Sequence, residues 1–163
     1  MPKKMPEGQV PHVAVTDHQS LLTVPLEDVI SVATFALRAE GCGAWVEIAL
    51  VDNRTIADLH QRFLGEPGAT DVITFPLAEE SPCVPEGPPK VLGEIVVSTE
   101  CAIQQAPSFS KDPVEEVLLY VVHGVLHLLG YDDREPETRT AIEGRQRQIL
   151  ASWLQQQGRF AGG

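Results

Sequence analysis

Residues 114–133, VEEVLLYVVHGVLHLLGYDD, form the most apolar segment of the chain. Apolar residues occupy nearly every face of a helix drawn from residue 114 to residue 129, so we expect this helix to be packed on all sides. Asp112 can cap its first turn, and Gly130 is suited to end it. The segment therefore predicts a central helix around which the other elements pack.

Two histidines interrupt this apolar helix. His123 and His127 are four residues apart, so they project from the same helix face, one turn from each other. Two imidazoles so placed can bind one metal ion, as in the HExxH zinc helices. The alternative is a pair of core histidines bonded to backbone carbonyls or water. We favour metal ligation, because a buried ring left without a partner costs about 1–3 kcal/mol and two on one face are hard to satisfy separately.

A catalytic metal site needs a third ligand and an open position. Gly130 lets the backbone turn after the helix, so Asp132 or Asp133 could swing back toward the imidazoles. A solvated turn that caps the last helix explains the two aspartates equally well. Gly124 occupies the place where HExxH proteases carry their glutamate base, so protease chemistry of that type lacks its proton acceptor.

The rest of the chain predicts short strands mixed with helices, without a strict βαβ alternation. We expect strands near residue 12 and over 45–52, 70–77 and 91–98, and helices over 25–41, from an N-cap at Asn53, and from Pro136 onward. Residues 78–90, rich in Pro and Glu, predict an exposed loop, and residues 1–10 and 158–163 predict flexible ends. The pattern indicates one α+β domain over residues 1–163, in which helices pack on a small mixed β-sheet.

Composition restricts the class of protein. The chain has 163 residues, of which 43% are hydrophobic and 21% charged, as in globular domains. No apolar run is long enough to span a bilayer, and the amino terminus lacks the apolar region of a secretory signal. Three scattered cysteines without a CxxC pair favour thiols in a reducing cytoplasm. The net charge of −11 argues against an extended, charge-driven grip on nucleic acid, but leaves room for a small basic groove or a metal that meets a phosphate.

Several segments together resemble one known family. HGVLHLLGYDD at 123–133 resembles the HGxLHLxGYDH signature of the YbeY endoribonucleases, bacterial metal-dependent enzymes of ribosomal RNA processing. TDVITFP at 70–76 is similar to the family's TDVLSFP, LGEIVVS at 92–98 to its LGDIVI, and LHQRFLG at 59–65 to the stretch before TDV. The resemblance extends from about Trp45 to Trp153.

The resemblance implies a function and a set of site residues. It implies hydrolysis of phosphodiesters in single-stranded ribosomal RNA in the cytoplasm, at one Zn²⁺ per chain, with ribosomal partners and neither DNA nor membrane. His123 and His127 take the places of two family ligands, and the third falls on Asp133, where the family has histidine. Asp132 and Asp71 are the carboxylates that could serve as a general base, although backbone hydrogen bonding is the plainer role for Asp71.

The sequence departs from the family at a cationic position. Many members carry an arginine, with the character of a phosphate-binding group, where this chain has Leu64. Arg62 could replace it, although a solvated helix face explains Arg62 as well. Arg139, Arg145 and Arg147 could form a basic strip on the last helix, or again an ordinary solvated face.

Two other functions remain open at this point. The first is a metal-dependent hydrolase that acts on a different substrate, such as a peptide or an ester. The second is a non-enzymatic ribosome-associated protein in which the metal is structural or absent. The replacements at Asp133 and Leu64 keep the second possibility alive.

Overall fold

The structure is a computed structural model that describes residues 10–77 and 91–158. The loop predicted over 78–90 lies outside the described residues, as does nearly all of the two predicted flexible ends. The elements, in chain order, are β1 (His12–Asp17), α1 (Leu26–Ala39), β2 (Trp45–Val51), α2 (Asn53–Leu64), β3 (Val72–Pro76), β4 (Val91–Ser98), α3 (Thr99–Gln105), a 3-10 turn (Ala106–Phe109), α4 (Pro113–Leu128) and α5 (Pro136–Gln156).

The four strands form one mixed sheet in the order β1-β2-β4-β3. β1, β2 and β4 are parallel, and β3 pairs with β4 in the antiparallel direction at the edge. Alternate residues of β2 face opposite sides, so Ile48 and Leu50 join the main core while Val51 joins a smaller cluster with Ile56 of α2. The predicted α+β class with a small mixed sheet is confirmed.

Helix α4 is the centre of the main core. It packs against α1, α3, α5, β3 and β4, and the residues from Glu116 to Leu128 are buried except for the two histidines. Asp112 caps the helix by accepting a hydrogen bond of 2.8 Å from the backbone N–H of Val114, as predicted. The apolar sequence of α4 therefore reflects burial on nearly every face.

Two local predictions need correction, and two short elements were not predicted at all. Asp52, rather than Asn53, caps α2, because its carboxylate accepts from the backbone N–H of Thr55 at 2.9 Å. The helix α3 and the 3-10 turn were not predicted, since their short sequences carry no apolar periodicity. Cys101 is a free thiol, as expected, but Cys42 is disulfide-bonded.

No helix in the described ranges combines the length and the apolar character needed to span a bilayer.

Close approach between α4 and β4 depends on a missing side chain. A Cβ placed on Gly124 would lie 2.6 Å from Cγ2 of Ile95 on β4, well inside the contact distance of two carbons. Ile95 is fully buried and has no room to move away. Gly124 therefore allows the histidine-bearing turn of α4 to press against the sheet.

This contact predicts opposite effects for two glycine substitutions. Gly124→Ala should lower the free energy of unfolding by about 1–3 kcal/mol, because the added methyl overpacks the core against Ile95. Gly144→Ala is the matched control, since Gly144 lies inside α5 and no described atom lies within 4 Å of the place its new methyl would take. It should stabilise the protein by up to about 1 kcal/mol. Urea unfolding of both variants tests this, and equal effects would contradict it.

Candidate metal centre

The end of α4 turns the chain back on itself. The backbone N–H of Tyr131 donates to the carbonyl of Leu126, and that of Gly130 donates to the carbonyl of His127, both at 3.0 Å. This pair of bonds is the Schellman motif, which requires the left-handed φ of +106° that Gly130 adopts. The reversal carries the residues that follow toward the histidine face of α4.

Asp133 is the aspartate that meets the histidines. Its Oδ2 lies 3.7 Å from Nε2 of His123 and 3.3 Å from Nε2 of His127. The ring centroids of the two histidines are 4.6 Å apart. Both rings are partly exposed, at 20% and 25%, so they border solvent at the edge of an otherwise buried helix. Within the described residues, these three side chains form the group of potential metal ligands, with ligand atoms within 4.8 Å of one another.

A fourth residue orients His123. Gln146 on α5 is buried, and its Oε1 lies 2.5 Å from Nδ1 of His123. An amide oxygen only accepts hydrogen bonds, so Nδ1 carries the hydrogen and the Nε2 lone pair is left facing Asp133. Such a partner on the far nitrogen fixes both the tautomer and the ring orientation of a metal-binding histidine.

The turn that bears Asp133 is held from both sides. Nε of Arg139 donates to the carbonyl of Asp133 at 3.1 Å. The hydroxyl of Tyr131 donates to the carboxylate of Glu40 at 3.3 Å, and Arg145 binds the same carboxylate at 2.7 Å. Burial raises the pKa of Tyr131, which favours its neutral, donating form. These bonds tie the turn to α1 and α5.

The other two candidate carboxylates are placed differently. Asp132 lies beside the cluster but outside it, and its carboxylate accepts hydrogen bonds from the guanidinium of Arg134 at 2.9 and 3.1 Å. These bonds hold the pKa of Asp132 below its usual range. Asp71 borders the same cavities as His123 and Asp133. Its Oδ1 accepts from the backbone N–H of Val72 at 2.8 Å, which is the structural role expected for it.

The candidate cations also differ in whether they lie beside the cluster. Arg62 lies outside the cavities beside the cluster, where it pairs with Asp58 at 3.2 Å. Leu64, where the resemblance led us to expect an arginine, lines a cavity together with His123 and His127. Among the three arginines of the last helix, Arg145 is turned toward Glu40, whereas Arg139 and Arg147 line a cavity that reaches the cluster.

The site also accounts for the absence of a protease-type glutamate. Residue 124, which follows the first histidine, faces Ile95 of the sheet rather than the cavity. Even a methyl group has no space there, so a glutamate at this position could not reach a substrate on the histidine face. The backbone path of α4 thus excludes the HExxH base by packing as well as by sequence.

Gln146 is the site residue that the sequence reasoning missed. The inward stripe of α5 contains Ile142, Ile149 and Trp153, and Gln146 lies in the same buried row. A polar residue within an apolar stripe needs a hydrogen-bond partner, because burying an amide without one is costly. The glutamine within this apolar stripe was therefore the sequence signal that could have identified Gln146 as a site residue.

The donor set suits a metal ion of intermediate hardness, such as Zn²⁺. Two imidazole nitrogens and one carboxylate oxygen are ligands that Zn²⁺ accepts, and three protein ligands leave a position open. Two ligands of a tetrahedral zinc at about 2.1 Å are about 3.4 Å from each other. The nitrogen-to-oxygen distances of 3.3 and 3.7 Å therefore fit ligands that share one ion.

Comparison with known proteins identifies the family. The model of the family described as Endoribonuclease YbeY matches residues 14–154. A relative named Endoribonuclease YbeY from Rhodococcus opacus is 40% identical over 144 residues, which cover 85% of this chain and 80% of the relative. One of the same name from a Mycobacterium species (strain KMS) is 38% identical, covering 86% and 82%. A solution structure from Thermotoga maritima is similar with a TM-score of 0.62 and 27% identity, covering 88% of this chain and 90% of that one. The chain belongs to the YbeY endoribonuclease family.

Proposed function

We propose that this protein is a metal-dependent endoribonuclease that hydrolyses phosphodiester bonds in single-stranded RNA. The observation that carries the proposal is the convergence of His123, His127 and Asp133 on one partly exposed point, in a chain that matches the YbeY family. The names of the relatives supply the reaction class. The geometry of the cluster supplies a place where that reaction can occur.

The finer assignment follows the family. We infer one Zn²⁺ per chain, held by the two histidines and Asp133, and a role in maturation of the 3′ end of small-subunit ribosomal RNA and in ribosome quality control. The partners are then single-stranded ribosomal RNA and components of the ribosome, in the cytoplasm. A zinc ion bound at the cluster would supply Lewis-acid chemistry, polarising a phosphoryl oxygen and acidifying water near neutral pH.

The residues around the cluster have separate tasks in this proposal. Gln146 keeps the Nε2 lone pair of His123 directed at the open position. Asp133 supplies the negative charge that two neutral imidazoles lack. Asp71 uses Oδ1 for the backbone of Val72, and no group in the described ranges donates to its Oδ2. That oxygen is the candidate to accept a proton released during hydrolysis.

His127→Ala should abolish both metal binding and RNA cleavage, because it removes one of only two nitrogen ligands. His60→Ala is the matched control, since His60 bonds to the carbonyl of Gly68 and pairs with Glu66, away from the cluster. The control should keep its metal and its activity. Metal analysis and a single-stranded RNA cleavage assay, with and without chelator, give the readout. Undiminished cleavage by rigorously purified His127→Ala would refute the hydrolase proposal.

The two adjacent aspartates should behave differently. Asp133→Ala should lower the zinc content of the purified protein well below one per chain, because it removes the carboxylate that faces both Nε2 atoms. Asp132→Ala should leave the zinc content unchanged, because Asp132 binds Arg134 instead. Zinc stoichiometry by elemental analysis distinguishes the two. The opposite ranking would show that Asp132 is the ligand.

Gln146→Leu should weaken zinc binding by about 10- to 100-fold, the usual effect of removing the partner of a ligating histidine. Leucine keeps the buried volume of the side chain but cannot accept a hydrogen bond. Gln148→Leu is the control on the same helix, where the glutamine binds Arg145 instead. Competition with a zinc chelator of known affinity measures both variants. Equal zinc affinities would show that Gln146 only fills space.

A further inference from the structure

Two cavities meet at the metal cluster. The first, of about 550 Å³, lies between α5 and the start of α4, and we call it the α5 cleft. The second, of about 700 Å³, follows β3 and the turn after Gly130, and we call it the β3 groove. Both are lined by Thr70, Asp71, His123 and Asp133. A bound strand can therefore leave the cluster in either direction.

The cations that lack carboxylate partners are concentrated in the α5 cleft. Lys111, Arg139 and Arg147 line it, and none of them lies within salt-bridge distance of a carboxylate in the described part of the chain. Of the other described cations, Arg62, Arg134 and Arg145 pair with carboxylates, whereas Arg38 and Arg54 form no salt bridge but lie outside this cleft. In a chain of net charge −11, three such cations in one cleft favour an anionic occupant.

The carboxylates of the α5 cleft do not cancel these cations. Asp71 and Asp133 stand at the metal end, where a divalent cation would offset them. Glu116 is buried, with Oε2 lacking a hydrogen-bond partner in the described residues, and burial raises its pKa against a smaller, opposite effect of Lys111, which lies beyond salt-bridge distance. Among the described residues, Glu143 alone shares the outer wall with the cations. The outer part of the cleft is thus positively charged.

The β3 groove offers no comparable charge among the described residues. Its cation, Arg134, is held by the carboxylate of Asp132 through Nε and Nη2, both at 2.9 Å. Leu64 adds an apolar wall. Positive charge that could bind phosphates is therefore found on the α5 side of the cluster.

An exposed aromatic ring completes the α5 cleft. Phe109, at the end of the 3-10 turn, is 60% exposed and lines the same cavity as Lys111. A cationic groove with an exposed aromatic ring is the usual combination for binding single-stranded nucleic acid without sequence preference, because bases stack on the ring while phosphates meet the cations. Arg139 and Arg147 are eight residues apart on α5, about 12 Å along its axis, so they would contact different phosphates.

We propose that the α5 cleft binds the single-stranded RNA on one side of the scissile phosphate, with Lys111, Arg139 and Arg147 on its phosphates and Phe109 stacked on a base. This rests on the proposed function. It leaves Arg62 and Arg134 outside the phosphate-binding set.

The test measures binding of RNA to the zinc-loaded protein apart from its cleavage. The probe is a fluorescent single-stranded 2′-O-methyl RNA oligonucleotide, titrated by anisotropy over a range of KCl concentrations and checked for integrity on a gel. Lys111→Gln and Arg147→Gln should each raise Kd about fivefold, the effect of losing one exposed ion pair. Each should also reduce the slope of log K against log salt by about 0.7, as one phosphate contact is lost. Phe109→Ala should raise Kd without changing the slope.

Arg54→Gln is the charge-matched control. Arg54 is exposed at the start of α2, lies outside both cavities, and has no salt bridge in the described ranges. Its replacement should leave Kd and the salt slope unchanged. Arg139 is tested as Arg139→Lys rather than as glutamine, because its Nε also holds the carbonyl of Asp133. This variant should keep the salt slope.

Two outcomes overturn the inference. One is that Lys111→Gln and Arg147→Gln bind RNA with the Kd and slope of Arg54→Gln. The other is that the wild type binds no single-stranded RNA. A parallel cleavage assay on unmodified RNA tests the proposed function separately. Cleavage with no effect of the cleft variants refutes the cleft alone, and salt-dependent binding in the cleft without cleavage refutes the hydrolase alone.

Discussion

The hydrogen bond between His123 and Gln146 is the constraint on which the candidate metal centre depends. Helix α4 is buried on its other faces, and the two histidines lie on the face that borders solvent. Gln146 takes the far nitrogen of one ring and leaves the near nitrogen for the open face, where Asp133 arrives. The site is thus assembled from α4, the turn after it and α5, and it requires all three in their observed relative positions.

Much of the fold could be predicted from the sequence, because apolar patterning acts locally. The helix from residue 113 to 128 and four strands were expected close to their observed bounds. The strand order was out of reach, since pairing of β2 with β4 joins residues more than forty positions apart. Asp52 rather than Asn53 caps α2, because either residue type suits an N-cap and tertiary contacts decide between them. Asn53 is engaged instead by Glu100 and Ser98.

The candidate site was predictable only in part. The spacing of His123 and His127 fixes their common helix face, so periodicity alone brings them together. The choice between Asp132 and Asp133 depended on how the turn after Gly130 closes, and that depends on contacts with α1 and α5. The lack of carboxylate partners for Lys111 and Arg147 is likewise a property of the folded surface. Spacing along a helix cannot reveal which arginines find a carboxylate from elsewhere.

The place of Gln146 on α5 makes the geometry of the cluster depend on a helix that follows both histidines and Asp133 in the sequence. A nascent polypeptide that ends before this residue already contains both imidazoles and Asp133, but it lacks the acceptor that orients one ring. It also lacks Ile149, Leu150 and Trp153, which cover α4. The full arrangement around His123 therefore exists only once α5 has docked on α4.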